Sequence, residues 1–507
     1  MALIPGRAGG VLLHPTSLPG PHGIGEIGPE AHAWVDWLAA AGCRLWQILP
    51  VGPTGYANSP YQALSSFAGN PLLISLSDLR EKGWIVDADL APLASFPADN
   101  VDFDRLIAVK GELLDRAASA AVTGAEIEEQ EAHDAFVEAE RAWLDDAALF
   151  TVLLRRFEGR PWLEWPSALA ARDRAALADA RRDLAAEVEG ETWKQFWFYR
   201  QWDALHRHAQ QSGLAIIGDV PIYAASNSAD VWAHRELFRL DAQGKALAVA
   251  GVPPDYFSST GQLWGNPVYD WPRHAESGYA WWIDRVRAGL RLVDILRIDH
   301  FRGLEAYWEV PAGLPTAEKG RWVKGPGKSL LSALRSALGG LPLLAEDLGF
   351  VTPRVVALRR AFRLPGMRIL QFGLEAGAAG AASGDLPHRY EPLAAAYTGT
   401  HDNDTAKGWY ASAPEATRDF TRRYLATNED GVVPGMVRSI WSSVADWAIV
   451  PMQDVLGLGS EARMNRPGTG EGNWKWRMTG EQWDRAPQGW LAEMNRIYGR
   501  PEPPAPA

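Results

Sequence analysis

The sequence has almost no cysteine, which excludes several kinds of stabilisation and chemistry. Cys43 is the only cysteine among 507 residues, so the chain cannot form an internal disulfide or a cysteine-based metal cage. The neighbouring residues, a small-residue helix end followed by an apolar strand, indicate that this thiol is buried. We therefore expect Cys43 to pack in the core rather than act as a nucleophile.

The chain also lacks long apolar runs and an excess of basic residues. No stretch reaches the roughly 18 apolar residues of a membrane-spanning helix, and the N-terminus has no apolar core of signal-peptide length. The net charge of -12 argues against nonspecific nucleic-acid binding. We expect a cytoplasmic protein that binds neither membrane nor nucleic acid, and the sequence leaves the oligomeric state open.

Tryptophan, in contrast, is abundant. The chain has 24 tryptophans against 15 phenylalanines and 13 tyrosines. Most of these side chains must pack in the core. An indole ring can also stack on the apolar face of a sugar while its N–H donates a hydrogen bond. The composition therefore favours a carbohydrate ligand.

Short apolar runs alternate with helical or loop-rich stretches and predict the fold. Continuous runs of this kind are typical of strands buried on both faces, as in parallel sheets. Eight of them predict a (β/α)8 TIM barrel, with a doubly wound sheet as the alternative. The runs lie at 10–14, 45–51, 214–223, 292–299, 341–347, 367–373, 394–402 and 447–455.

The segments between the strands predict how the barrel is elaborated. Helical spacing of Ala, Arg, Glu and Leu over 77–211 predicts a large, mainly helical insertion subdomain after the second strand. Long connections at 251–275 and 456–476, rich in Gly, Pro, Asn and Trp, are predicted as active-site loops over the C-terminal face. Residues 1–507 then form one catalytic barrel unit, and the proline-rich tail 499–507 is predicted to be disordered.

Carboxylates end four of the predicted strands, at the face where barrel enzymes build their sites. They are Asp219, Asp299, Glu346 and Asp402. Arg297 projects from the same strand face as Asp299, and a cation there favours the ionised carboxylate that a nucleophile needs. A lone strand-end carboxylate can instead cap a helix or pair with a surface arginine. Four in succession predict one shared active site.

The motifs around these residues resemble the amylomaltases, a family of bacterial 4-α-glucanotransferases. One of them is Arg-Ile-Asp-His-Phe-Arg-Gly at 297–303, and another is Gly-Thr-His-Asp-Asn at 399–403. The matching segments occur in the expected order over nearly the whole chain, at 12–20, 59–62, 218–223, 251–258, 261–267, 297–303, 345–349 and 399–403.

The resemblance implies a retaining transfer between α-1,4-glucans, with maltooligosaccharides as donor and acceptor and with no metal or cofactor. Asp299 would be the nucleophile and Glu346 the general acid/base. Asp402 would be the third carboxylate, which grips ring hydroxyls and favours distortion of the donor sugar. A retaining pair needs one ionised and one protonated carboxyl group, roughly 5–5.5 Å apart. Arg297 could keep Asp299 ionised, and a more enclosed Glu346 could keep its proton.

The same motif matching implies a set of substrate-binding residues. Asp219, Arg297 and His401 would contact the sugar bound before the scissile bond. Tyr61 and Trp264 would offer stacking surfaces along the glucan, although either aromatic could instead pin a loop.

Asp347, the neighbour of Glu346, should face the other way along its strand. We expect it to cap a helix or to form an ion pair.

Rival interpretations use parts of the same pattern. An α-glucan hydrolase would share the carboxylates and differ only in acceptor binding and water exclusion. A barrel lyase that binds Mg²⁺ is disfavoured by the arginine beside Asp299, and a non-enzymatic glucan-binding protein would not need the full Arg/Asp/Glu/Asp set.

A nucleotide-binding P-loop at Gly327-Lys328-Ser329 is excluded, because Trp322 stands where that motif requires glycine.

Overall fold

The computed structural model describes residues 6–254, 258–380 and 383–500 of the chain. Its strands fall into a parallel set and a smaller antiparallel set. Numbered along the chain, they are β1 Ala8–Leu12, β2 Leu45–Gln47, β3 Ala215–Val220, β4 Ala248–Val252, β5 Gln262–Pro267, β6 Ile295–Ile298, β7 Ala306–Pro311, β8 Arg321–Lys324, β9 Leu343–Ala345, β10 Gly366–Ile369, β11 Ala394–Tyr397 and β12 Trp447–Pro451.

The parallel strands close a barrel, and the predicted (β/α)8 fold is confirmed. Their order around the barrel is β1, β12, β11, β10, β9, β6, β3 and β2. Each of the eight apolar runs overlaps one of these strands. The barrel closes where β1 pairs with β12, with Ala8 opposite Trp447, and this closure excludes the open doubly wound sheet.

Helices surround the barrel and fill the long connection between β2 and β3. Helix α1, Pro29–Ala40, follows β1. The connection carries α2 Leu76–Glu81, α3 Asp87–Leu90, α4 Phe103–Gly124, α5 Ile127–Arg156, α6 Ser167–Ala170, α7 Arg174–Asp183 and α8 Ala185–Gln211. Later helices are α9 Ala229–Ala233, α10 Trp271–Glu276, α11 Ala280–Leu292, α12 Gly327–Leu338, α13 Pro353–Ala361, α14 Leu370–Ala378, α15 Ala406–Ser412, α16 Glu415–Leu425, α17 Val432–Ser442, α18 Met452–Val455, α19 Gly480–Asp484 and α20 Gln488–Ile497.

Much of the tryptophan lies in the core rather than on the surface. Helix α8 alone buries Trp193, Trp197 and Trp202, and the Trp202 indole donates to the carbonyl of Leu292, 2.7 Å away, at the end of α11. Cys43 is also buried, and this burial raises the pKa of its thiol to about 12. Its predicted packing role is consistent with both observations.

The segment 251–275 is not a loop throughout, which corrects the sequence interpretation. It contains the end of β4, all of β5 and the start of α10, while residues 255–257 lie outside the described residues. With β7 and β8 these strands form an antiparallel sheet in the order β5, β4, β7, β8. In the sequence, Gly251 and Gly265 suggest loop residues, yet both lie within these strands.

Other predicted boundaries were also wrong. The run at 367–373 is a strand only to Ile369, after which Leu370 begins α14. Arg500 is buried, so residues 499 and 500 are not part of a disordered tail, and the rest of that prediction falls on residues 501–507, outside the described part of the chain. No helix in the described ranges is long and apolar enough to cross a membrane.

Candidate active site

Neighbouring barrel strands position the predicted carboxylates at the C-terminal face. Asp219 on β3 is opposite Arg297 on β6. Asp299 and Glu346 follow β6 and β9, at the level where Ile298 pairs with Ala345. The Glu346 backbone N–H donates to the carbonyl of Ile298, 3.1 Å away. The sheet register therefore fixes the backbones of these residues next to each other.

Arg297 bridges two of the carboxylates. Its Nη1 contacts Asp219 Oδ2 closely and lies 3.1 Å from Asp299 Oδ1. Burial raises the pKa of Asp299 above its ordinary value, and Arg297 opposes that rise. The expected contact is present, but the net direction differs from the one that the sequence suggested, because desolvation outweighs the arginine.

Glu346 lies in a different electrostatic setting. Its Oε2 accepts the backbone N–H of His300 at 2.7 Å, and its Oε1 accepts that of Leu348 at 3.0 Å. Burial raises the pKa of Glu346 to about 8, and the negative charge of Asp299 adds to the rise, although Arg297 and the two N–H groups lower it. At neutral pH Glu346 therefore retains its proton, as a general acid must.

Tyr61 joins Asp219 to His401. Its hydroxyl donates to Asp219 Oδ2 at 2.8 Å and lies 2.9 Å from His401 Nε2. Burial and Asp219 raise the pKa of Tyr61, so the phenol keeps its single proton. Because that proton points at Asp219, His401 Nε2 must be the donor to the Tyr61 oxygen. Burial lowers the pKa of His401 to about 4, which leaves the ring neutral.

Asp402 is held by the loop that precedes α19. Asn465 Nδ2 donates to its Oδ1 at 2.6 Å, and Arg463 donates to its backbone carbonyl at 2.8 Å. His401 Nε2 lies 3.3 Å from the same Oδ1. The Asp402 side chain is 42% exposed, so one edge of the carboxylate is bonded to the protein and the rest faces the cleft.

Trp474, from the same loop, packs against the aromatic pair beside Asp402. Its ring lies 5.9 Å from that of Tyr61 and 6.0 Å from that of His401. Tyr61 and His401 themselves stack at 5.4 Å with 14° between their planes. The sequence predicts a loop at 456–476 but does not single out Arg463, Asn465 or Trp474, since no local pattern indicates where loop side chains point.

Trp264, on β5, is the last of the site residues expected from the sequence, and it contacts the turn that binds Glu346. Its indole meets the ring of His300 edge-on, 4.8 Å away, and His300 is the residue whose N–H binds Glu346. Direct contacts link six of the eight residues selected from the sequence, and Glu346 and Trp264 join them through His300, the residue after Asp299.

Asp347 points away from this cluster, as expected. Its carboxylate lies 2.9 Å from Arg359 Nε and accepts the backbone N–H of Met367 at 2.8 Å. The prediction of an ion-pair role for Asp347 is confirmed. Within the described ranges, the active-site cluster included, no group of three or more His, Cys, Asp or Glu side chains could hold a metal ion.

Comparisons with known proteins agree with this architecture. A family model described as 4-alpha-glucanotransferase matches residues 13–482. The chain is 49% identical to the 4-alpha-glucanotransferase of Thermus thermophilus, over 93% of this chain and 95% of that protein. It is 46% identical to the 4-alpha-glucanotransferase of a Synechocystis species, over 97% of this chain and 98% of that protein.

Solved structures give the same result for the fold. Amylomaltase from Streptococcus agalactiae, in complex with acarbose, superimposes with a TM-score of 0.94 at 37% identity, covering 98% of this chain and 100% of that one. Amylomaltase from Corynebacterium glutamicum superimposes with a TM-score of 0.77 at 20% identity, over 97% of this chain and 74% of that one. At that identity the second match supports the fold alone.

Proposed function

Because this chain belongs to the 4-alpha-glucanotransferase family of glycosyl-transferring enzymes, we propose that it moves α-1,4-glucan segments between maltodextrins through a covalent intermediate on Asp299. The observation that carries this mechanism is the different environment of two neighbouring carboxyl groups. Asp299 contacts a cation at 3.1 Å, whereas burial raises the pKa of Glu346 to about 8. This separation suits a nucleophile and a general acid.

In the first step an Asp299 oxygen attacks the anomeric carbon of the donor sugar, and the bond to the leaving O4 breaks. Glu346 gives its proton to that oxygen, so the departing chain leaves as a free 4-hydroxyl. Asp219, Arg297 and His401 are proposed to bind the hydroxyls of the donor sugar. The exposed part of the Asp402 carboxylate is proposed to accept ring hydroxyls and to favour the distorted sugar.

In the second step an incoming sugar 4-hydroxyl loses its proton to Glu346 and attacks the anomeric carbon, which releases Asp299. Two inversions leave the α configuration unchanged. Tyr61 and Trp264 are proposed as stacking surfaces along the glucan. An acceptor held on such surfaces has a far higher effective concentration than a loosely held water molecule, and this favours transfer over hydrolysis.

Incubation with maltotriose tests the transfer. Glucose and a ladder of longer maltodextrins should form while total reducing ends stay nearly constant, because each transfer consumes one reducing end for every one it creates. Reducing ends that climb from the first minutes, with no product longer than maltotriose, would identify a hydrolase instead.

Trapping tests the covalent step. Glu346→Gln should cleave maltodextrins slower by orders of magnitude, yet still react with α-glucosyl fluoride, whose leaving group needs little protonation. Mass spectrometry should then find a glucosylated peptide containing Asp299. Equal loss of activity on both donors would remove Glu346 from the acid role.

A further inference from the structure

We propose that Phe350 is an accessory sugar-binding platform, which stacks on a glucose ring of a long α-1,4-glucan engaged at the active site. This inference rests on the proposed function and extends it to the distal part of the substrate. Phe350 follows Glu346 by four residues and is 68% exposed. An aromatic ring presented to solvent so near the general acid requires an explanation.

The protein holds this ring in a fixed position. Phe350 and Trp322, on β8, are 6.4 Å apart with 19° between their planes. The guanidinium of Arg302 lies over the Trp322 ring, 3.7 Å from its centre, and 5.5 Å from the centre of Phe350. Arg302 Nη1 also donates to the Phe350 carbonyl at 3.0 Å. One side of Phe350 is thus occupied by a stack, and the other side faces outward.

Arg302, the side chain that supports Phe350, is buried next to the active site. Arg302 is 5% exposed and lies three residues after Asp299, in the turn that follows β6. Ordering an exposed aromatic costs conformational entropy and gains little apolar burial. A ring that is already ordered can bind the apolar face of a sugar without bearing that cost at the moment of binding.

The location connects the platform to the cleft. Four residues of chain span at most about 14 Å, so the Cα atom of Phe350 lies within that distance of the Cα atom of Glu346. Trp322 is on β8, the edge strand opposite β5, so it and Trp264 lie at the two edges of one antiparallel sheet. We therefore assign the outer face of Phe350 to a sugar of the bound glucan beyond those that react, and not to a protein partner.

Substrate length provides the test. For Phe350→Ala, the ratio of kcat/KM on maltoheptaose to kcat/KM on maltotriose should fall about three- to tenfold, the effect of one aromatic contact. Leu393→Ala is the matched control, because Leu393 is 37% exposed and precedes β11 at the opposite end of the barrel. This control should leave the ratio unchanged.

Ring chemistry separates a sugar contact from loop support. Phe350→Tyr should keep most of the ratio, whereas Phe350→Leu, which keeps apolar bulk but lacks a flat ring, should behave like Phe350→Ala. An unchanged ratio in Phe350→Ala would overturn the proposal. So would an equal loss of kcat/KM on both substrates, since that result would mean that the stack only positions the Glu346 loop.

A binding measurement separates this proposal from the catalytic one. In the Asp299→Ala background, calorimetric titration with maltoheptaose should give a dissociation constant about three- to tenfold weaker when Phe350→Ala is added. That result does not depend on whether the wild-type enzyme transfers or hydrolyses. Identical dissociation constants with and without Phe350 would overturn the platform even if maltotriose disproportionation succeeds.

Discussion

At the scale of single residues, the site gives two neighbouring carboxyl groups different environments. Glu346 accepts two backbone N–H groups, which favour its ionised form, yet burial and Asp299 raise its pKa to about 8. Asp299 is partly buried, with its side chain 28% exposed, and it has the guanidinium of Arg297 at 3.1 Å. The sequence could indicate the arginine from its spacing, whereas the burial of Glu346 depends on the closed barrel.

This difference predicts the pH dependence of the reaction. In the proposed mechanism, activity on maltotriose requires protonated Glu346, so kcat/KM should fall as the pH rises through about 8. On the acid side kcat/KM should fall when Asp299 takes up a proton, at a pH above the ordinary range of aspartate because its pKa is raised. The check compares the pH–rate profile of the unmodified enzyme on maltotriose with that of the Glu346→Gln variant, for which α-glucosyl fluoride is the donor. If the alkaline decline persists in that variant, another group causes it.

A second residue-scale prediction concerns Asn465, which donates to Asp402 at 2.6 Å. Asn465→Ala should lower kcat about 10- to 100-fold, because a carboxylate displaced by about 1 Å no longer grips the distorted sugar. Asn473→Ala is the control, since the Asn473 side chain bonds within the same loop, to Arg466 and Thr469 rather than to Asp402. Steady-state kinetics of both variants provide the test. An equal loss of kcat in the two variants would mean that activity depends on the integrity of the loop and not on the bond to Asp402.

At the scale of elements, apolar runs predicted every barrel strand but not where each strand ends. The run at 447–455 includes β12 and also α18, which begins at Met452. The first turn of such a helix packs into the same core, so hydrophobicity continues past the last strand residue. The sheet of β4, β5, β7 and β8 was missed because its edge strands β5 and β8 are largely not buried, so neither shows the continuous apolar run that marks a barrel strand.

The helical connection between β2 and β3 is tied to the rest of the molecule by a buried ion pair, which makes its docking testable. Lys110 on α4 contacts the carboxylate of Glu26 and donates to the carbonyls of Leu72 and Ile74, each at 2.8 Å. Lys110→Ala should lower the free energy of unfolding by about 3–5 kcal/mol, because it leaves the buried Glu26 carboxylate without its ammonium partner, with only His22 and the Leu76 N–H, among the described residues, still bound to it.

Urea denaturation measures this effect, and an exposed pair supplies the comparison. Lys82 pairs with Glu129 at 3.2 Å, with its own side chain 46% exposed, so Lys82→Ala should cost about 1 kcal/mol or less. The double variant Glu26→Gln/Lys110→Met should recover part of the loss, since it removes both charges. Equal midpoints for Lys110→Ala and Lys82→Ala would contradict a role for the pair in docking the connection.

At the scale of the whole molecule, the barrel is completed only when the two ends of the chain meet. Strand β1 pairs with β12 from Ala8 to Leu12, and the Ala8 N–H donates to the carbonyl of Asp446 at 2.7 Å. The alternation of strands and helices along the sequence predicted this architecture. It could not indicate which side chains hold the seam, the junction between β1 and β12, because that depends on residues more than 400 positions apart.

Arg500 is the clearest of those side chains and carries the last prediction. Its guanidinium is fully buried and donates to carbonyls from both ends of the chain, among them Ala8 at 2.9 Å and Asp446 at 3.0 Å. Arg500→Met keeps the apolar stem but leaves several buried carbonyls without a donor, so it should lower the free energy of unfolding by about 3 kcal/mol. Because the seam closes the whole barrel, the loss should appear as a single cooperative transition at lower urea and as a shorter half-life of activity on heating. Arg485→Met is the control, as Arg485 is 78% exposed in a surface pair with Glu481 and should change stability by about 0.5 kcal/mol or less. If the two variants unfold alike, the seam is held by strand pairing alone and Arg500 is dispensable.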